Sequence, residues 1–142
     1  MIIFRCRLPF PPSVNGLYGG GSGQKRFKTR AYKEWLKSCP RLDPVKIACP
    51  VTVEYIFTWP DRRIRDGQNY QKAVLDLLVN EGVLRDDNWN IVTSELWRHE
   101  GIKKEDPHVR VVVRRIGGGI PDIPQEENEA TLHETTDEDQ IY

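Results

Sequence analysis

The chain has 142 residues, 38 % of them hydrophobic and 30 % charged, one domain's worth of globular protein with a wet surface. No apolar run approaches the roughly 18–20 residues that span a bilayer. The stretch Met1 to Phe10 lacks the charged segment and long apolar core of a signal peptide, so a cytoplasmic protein with no membrane partner is expected.

The net charge of zero conceals an asymmetry. All 21 Lys and Arg residues precede Gly117, whereas eight of the 21 acids lie in residues 117–142. Residues 1–116 therefore carry 21 bases against 13 acids, a net of +8. A basic body with an acidic tail points toward nucleic acid as a partner. Cys6, Cys39 and Cys49, like His99, His108 and His133, are scattered without metal-type spacing. Reduced thiols are expected, and a zinc site is not.

In chain order, Met1–Leu8 reads as a first strand, stopped by Pro9, Pro11 and Pro12. Ser13 to Lys28 is read as loop, rich in glycine and ending in the cations Lys25, Arg26 and Lys28. Thr29 is a plausible N-cap for a short helix over 30–37, with Arg30 at its start and Tyr32, Trp35 and Leu36 turned inward. A strand is predicted over Val51–Trp59, ended by Pro60. A basic turn with Arg62, Arg63 and Arg65 leads to a helix over 68–80, where Tyr70, Ala73, Val74, Leu77 and Leu78 share one face. Gly82 suits a left-handed cap.

Two further strands are expected over 90–98 and 108–116. The order β-α-β-α-β-β predicts an α/β domain of α+β character, a single mixed sheet covered by helices, over residues 1–116. Residues 117–142 hold few large apolar side chains and are expected to stay disordered.

Carboxylates concentrate in two places, Asp66-Gly67-Gln68-Asn69 with Lys72 at the start of the longer helix, and Asp86-Asp87 before a strand. Each has a plain structural explanation. Asp66 can cap a helix, Asp86-Asp87-Asn88 can form a polar turn, and Lys72 can pair with Asp76 four residues on. Whether Asp66 and Asp87 share a site depends on how the chain returns after Gly82, which spacing alone leaves open. The four tryptophans read as core or interface residues rather than base-stacking platforms.

The run Asp66-Gly67-Gln68-Asn69-Tyr70-Gln71-Lys72, followed by Asp76 and then Asp86-Asp87, resembles the RusA family of Holliday-junction resolvases. That family's pattern is Asp-x-Asp-Asn, a Lys three residues on, an Asp near the helix end and then Asp-Asp. The opening Leu8-Pro9-Phe10-Pro11-Pro12-Ser13-Val14-Asn15 with Tyr18 is similar to the family's Pro-Pro-Ser-x-Asn-x-x-Tyr. The resemblance implies a homodimer that binds branched DNA and nicks four-way junctions symmetrically, in recombination and repair, with magnesium or manganese. It implies Asp66 and Asp87 as metal ligands with a catalytic role, Lys72 as a catalytic lysine, and Asp86 as an additional ligand.

Gln68 stands where the family has its second aspartate, so it is a ligand without charge. A non-catalytic junction-binding protein on the same fold is therefore the alternative. A basic accessory protein that binds DNA or RNA without structure preference is the third reading. For the DNA itself, Lys25, Arg26, Lys28, Arg30, Arg62, Arg63, Arg65 and Asn69 are the expected contacts, the cations through phosphates.

Overall fold

The computed structural model describes residues 1–20 and 25–117; the acidic tail from residue 118 on, expected to be disordered, lies outside them. Strand β1 is Ile2–Pro9, followed by a 3-10 turn at Val14–Gly16 and two short strands, β2 (Tyr18–Gly19) and β3 (Phe27–Lys28). Helix α1 is Arg30–Ser38 and strand β4 is Val51–Trp59. A second 3-10 turn, Gly67–Tyr70, precedes helix α2 at Lys72–Asn80, and strands β5 (Val92–Ile102) and β6 (His108–Arg115) close the domain.

The main sheet is mixed, in the order β1-β6-β4-β5. β4 pairs antiparallel with β6 and parallel with β5. A parallel neighbour requires a crossover, and residues 60–91, with α2, supply it. β2 and β3 form a separate antiparallel ribbon, so the expected order lacked two short strands. Each has only two residues, too short to leave a period in the sequence.

Both helices contribute to one core. Tyr32 and Trp35 of α1 and Ala73, Val74, Leu77 and Leu78 of α2 pack with Val51, Val53, Tyr55, Phe57 and Trp59 of β4 and Val109, Val111 and Val113 of β6. These are the alternate residues of each strand, so the other face carries Thr52, Glu54, Ile56 and Thr58. That face is laced by cross-strand polar pairs. Thr52 and Ser94 share a 2.8 Å hydrogen bond, Arg98 meets Glu54 at 3.3 Å, and Arg110 meets Glu100 at 2.7 Å. Ile56 stands in register with Arg98 and Arg110 and is fully buried. Arginine stems on either side are suited to cover an aliphatic residue on an otherwise polar face.

Local signals act where the sequence places them. Thr29 caps α1, its hydroxyl oxygen accepting from the Tyr32 amide at 3.2 Å and its hydroxyl donating to the Gly16 carbonyl at 2.6 Å. Gly82 adopts φ of +80° beyond α2, the left-handed conformation expected of it. The helix predicted over 68–80 begins instead as a 3-10 turn, with the Asn69 amide donating to the Asp66 carbonyl at 3.0 Å. All three cysteines are half-buried free thiols. Burial pushes Cys6 up to about 12 and Cys39 up to about 11, which keeps both protonated and sluggish as nucleophiles.

Candidate active site

The crossover between β4 and β5 carries both carboxylate stretches. Leaving β4, the chain turns through Pro60 and Asp61 and is pinned by Arg65. Its guanidinium donates to both Asp61 carboxylate oxygens, at 2.7 and 3.2 Å, and lies 5.8 Å from the Phe10 ring centroid and 5.9 Å from that of Trp59. The Arg65 hydrogen bond, helped by the Arg63 amide, holds the Asp61 carboxyl down at about 2. Arg65 is thus placed differently from its expected position at the DNA. Its side chain is 9 % exposed and engaged with the loop, whereas Arg62 and Arg63 are exposed.

Asp66 follows, exposed, as the cap of the 3-10 turn. One carboxylate oxygen accepts from the Gln68 amide at 3.1 Å, so the capping explanation is correct as far as it goes. Gln68 and Asn69 are exposed beside it, while Gly67 between them is buried. Lys72 opens α2 with its ammonium 3.3 Å from Asp76, the surface pair expected at this spacing.

The second stretch lies before β5. Asp86 accepts from the Asp87 amide at 2.7 Å and from the Asn88 side-chain amide at 3.0 Å. The Asn88 carbonyl receives the amides of Ile91 and Val92 at 3.0 and 2.9 Å, which leads the chain into the strand. Asp86, Asp87 and Asn88 are all exposed, and the next residue, Trp89, is 77 % exposed. Both stretches are therefore tied to β5, the Asp86 turn at its start and the Asp66 turn over Trp97, five residues further along. Among the described residues, no three His, Cys, Asp or Glu side chains gather as a group that could hold a metal ion.

Of the expected DNA-contacting residues, Lys25, Arg26, Lys28 and Arg30 are exposed. The Arg26 guanidinium lies 4.4 Å from the centroid of the Tyr18 ring, and Arg30 pairs with Glu34 at 3.0 Å. Part of the glycine loop before them, residues 21–24, falls outside the described residues. Trp35 and Trp59 are buried core residues, while Trp97 is partly exposed.

Sequence reasoning missed two features of β5. Glu95 accepts a hydrogen bond from the hydroxyl of Tyr55, whose ionisation is pushed far up by burial and then by Glu95 itself. Trp97 underlies Gly67. The signal available was a lone glycine amid polar residues at a helix start, a sign of close approach that does not name its partner.

The family model of endodeoxyribonuclease RusA matches residues 9–114. The chain is 34 % identical over 92 residues to the crossover junction endodeoxyribonuclease RusA of Shigella sonnei (strain Ss046), covering 61 % of this chain and 76 % of that relative. The same identity and coverage are found with the proteins of that name from Escherichia coli (strain K12) and Enterobacteria phage 82. Because the family match runs through both carboxylate turns and the strands that carry them, the chain belongs to the RusA endodeoxyribonuclease family.

Proposed function

We propose that the protein is a metal-dependent endonuclease that resolves four-way DNA junctions by paired symmetric nicks, working as a homodimer in recombination and repair. The observation that carries this reading is the RusA match over residues 9–114, which includes Asp66, Lys72, Asp86 and Asp87. Its relatives are named crossover junction endodeoxyribonucleases.

The donors available are hard oxygens, the carboxylates of Asp66, Asp86 and Asp87 and the amide oxygen of Gln68, and these suit magnesium or manganese. Magnesium commonly takes one or two protein carboxylates and completes its shell with water and substrate phosphate. A site without three gathered carboxylates is compatible with that habit. Asp66 and Asp87 would hold the ion, with Asp86 and Gln68 as further oxygens. When bound, the ion supplies an activated water near neutral pH and positive charge at the phosphate.

Lys72 is half exposed beside Asp76, and in this reading its ammonium turns toward the phosphate and offsets developing charge. Arg62 and Arg63, exposed next to Asp66, would hold the entering backbone together with Lys25, Arg26, Lys28 and Arg30. Asn69 adds a neutral contact. Two cuts across a two-fold junction call for two sites related by a two-fold axis. Support for a dimer contact comes from edge strand β5, where Leu96 and Ile102 are exposed.

The test is incubation with labelled four-way junction and with linear duplex, with and without magnesium or manganese. Symmetric nicking of the junction in the presence of metal is expected. Binding without nicking in either metal would favour the non-catalytic reading that Gln68 motivates.

A further inference from the structure

Gly67 has no side chain because Trp97 leaves no room for one. A Cβ placed on Gly67 would stand 2.1 Å from Cδ2, 2.5 Å from Cε3 and 2.6 Å from Cε2 of the Trp97 indole. Those atoms lie at and beside the fused edge of a rigid ring system, and such separations are far inside van der Waals contact. Among the described residues the glycines with positive φ are Gly20, Gly82 and Gly117, and Gly67 is not one of them. Its requirement is space and not backbone conformation.

The turn that Gly67 begins is anchored at its far end by Tyr70, whose ring lies 5.3 Å from that of Phe10 and 5.7 Å from that of Trp59, whereas its near end, with Asp66, has only Gly67 to seat it. Its internal bonds are the Gln68 amide to the Asp66 carboxylate at 3.1 Å, the Asn69 amide to the Asp66 carbonyl at 3.0 Å, and the Gln71 amide to the Gln68 carbonyl at 3.5 Å. Short 3-10 segments have poor hydrogen-bond geometry and do not fix a side chain unaided. Trp97, by contrast, sits on β5 opposite Tyr55 of β4, within the sheet ladder. Seating Gly67 on the indole sets the height of Asp66, Gln68 and Asn69 above the sheet.

We propose that Trp97 is a positioning residue for the Asp66–Asn69 turn and that Gly67 is the notch that admits it. This rests on the reading that Asp66 belongs to the cutting site. Trp97 touches neither DNA nor metal in this account. It acts through the backbone of the turn, and the two residues form a matched pair in which a change to either disturbs the same carboxylate.

The test compares the full-length protein with Trp97→Ala, Gly67→Ala and the double variant Gly67→Leu/Trp97→Ala, in which leucine occupies the space the indole leaves. Two readouts are taken, amide hydrogen exchange at Gln68 and Asn69, and single-turnover nicking of a four-way junction beside junction affinity. Both single variants should exchange faster at those amides and nick more slowly, by up to about 100-fold for a displacement near 1 Å, with junction affinity little changed. The double variant should recover part of both losses. Should Trp97→Ala fail to fold, Gly67→Ala tests the same contact with the indole intact. Unchanged exchange in the single variants would overturn the proposal, and so would faster exchange with nicking at the unaltered rate. Full nicking by Asp66→Asn would instead remove the reading beneath it, while exchange would still report the seat.

Discussion

Trp59 on β4 donates its indole N–H to Nδ1 of His99 on β5 at 2.7 Å, with the two rings stacked at 6.5 Å. An Nδ1 that accepts places the proton of the neutral imidazole on Nε2. Trp59 is buried, so removing the acceptor strands a buried N–H. His99→Ala should cost about 1–3 kcal/mol of stability, read from urea unfolding. An unchanged midpoint would show that this indole does not depend on His99.

The Asp61–Arg65 pair should give the loop before the site an acid-sensitive anchor. Asp61 is depressed from 3.8 to about 2 in the folded protein, chiefly by Arg65. A lowered carboxylate contributes stability that is fully present above 3.8 and fades as pH falls through about 2. Asp61→Asn should therefore be less stable than the natural protein at neutral pH and approach it near the lower value. Asp61 is open to solvent although Arg65 is largely covered, so the difference should be modest and shrink with salt. Urea midpoints of both proteins across that window check the sign, and a gap that widens toward acid would contradict it.

The same pair shows where reading the sequence alone stops. Arg65 stands in the run Arg62-Arg63-Ile64-Arg65 and looks there like one more cation for DNA. Its inward turn comes from Asp61 together with the rings of Phe10 and Trp59, and two of those three partners belong to other parts of the fold. Periodicity reported the buried face of α2 correctly because an amphipathic helix repeats within ten residues, and the capping by Thr29 and the left-handed turn at Gly82 are local, although the Thr29 hydroxyl also reaches the Gly16 carbonyl. Gly67 needs Trp97, thirty residues later and reached through the crossover, and no local pattern names it. The two carboxylate turns were visible as composition, but their common attachment to β5 emerges only from the parallel pairing of β4 with β5.

The acidic tail should compete with DNA for the basic body. Deleting residues 120–142 removes all eight acids of the tail and no Lys or Arg. Junction binding by the truncated protein should tighten at low salt, and the gain should fade as salt screens the competition. Fluorescence anisotropy at two salt concentrations measures this. Equal affinities at low salt would leave the tail as a solubilising segment only.

Gln68 sets the metal requirement in this account. Replacing its amide by a carboxylate in Gln68→Asp adds negative charge beside a divalent cation, so magnesium should half-saturate nicking at a lower concentration. If Asp86 compensates for Gln68, Asp86→Asn should be severe alone and milder in the Gln68→Asp background. Magnesium titrations of the four proteins decide the matter. Unchanged curves throughout would show that neither residue approaches the ion.

The central claim is that Asp66 and Asp87, held by two turns on one strand, form the cutting site. It is tested most directly by the magnesium-dependent nicking rate of a labelled four-way junction with Asp66→Asn and Asp87→Asn, each beside its junction affinity. Both substitutions remove a charged oxygen ligand and also some repulsion toward phosphate. The account predicts loss of nicking in each variant with affinity equal to or tighter than that of the natural protein. Nicking at the natural rate in both would contradict it.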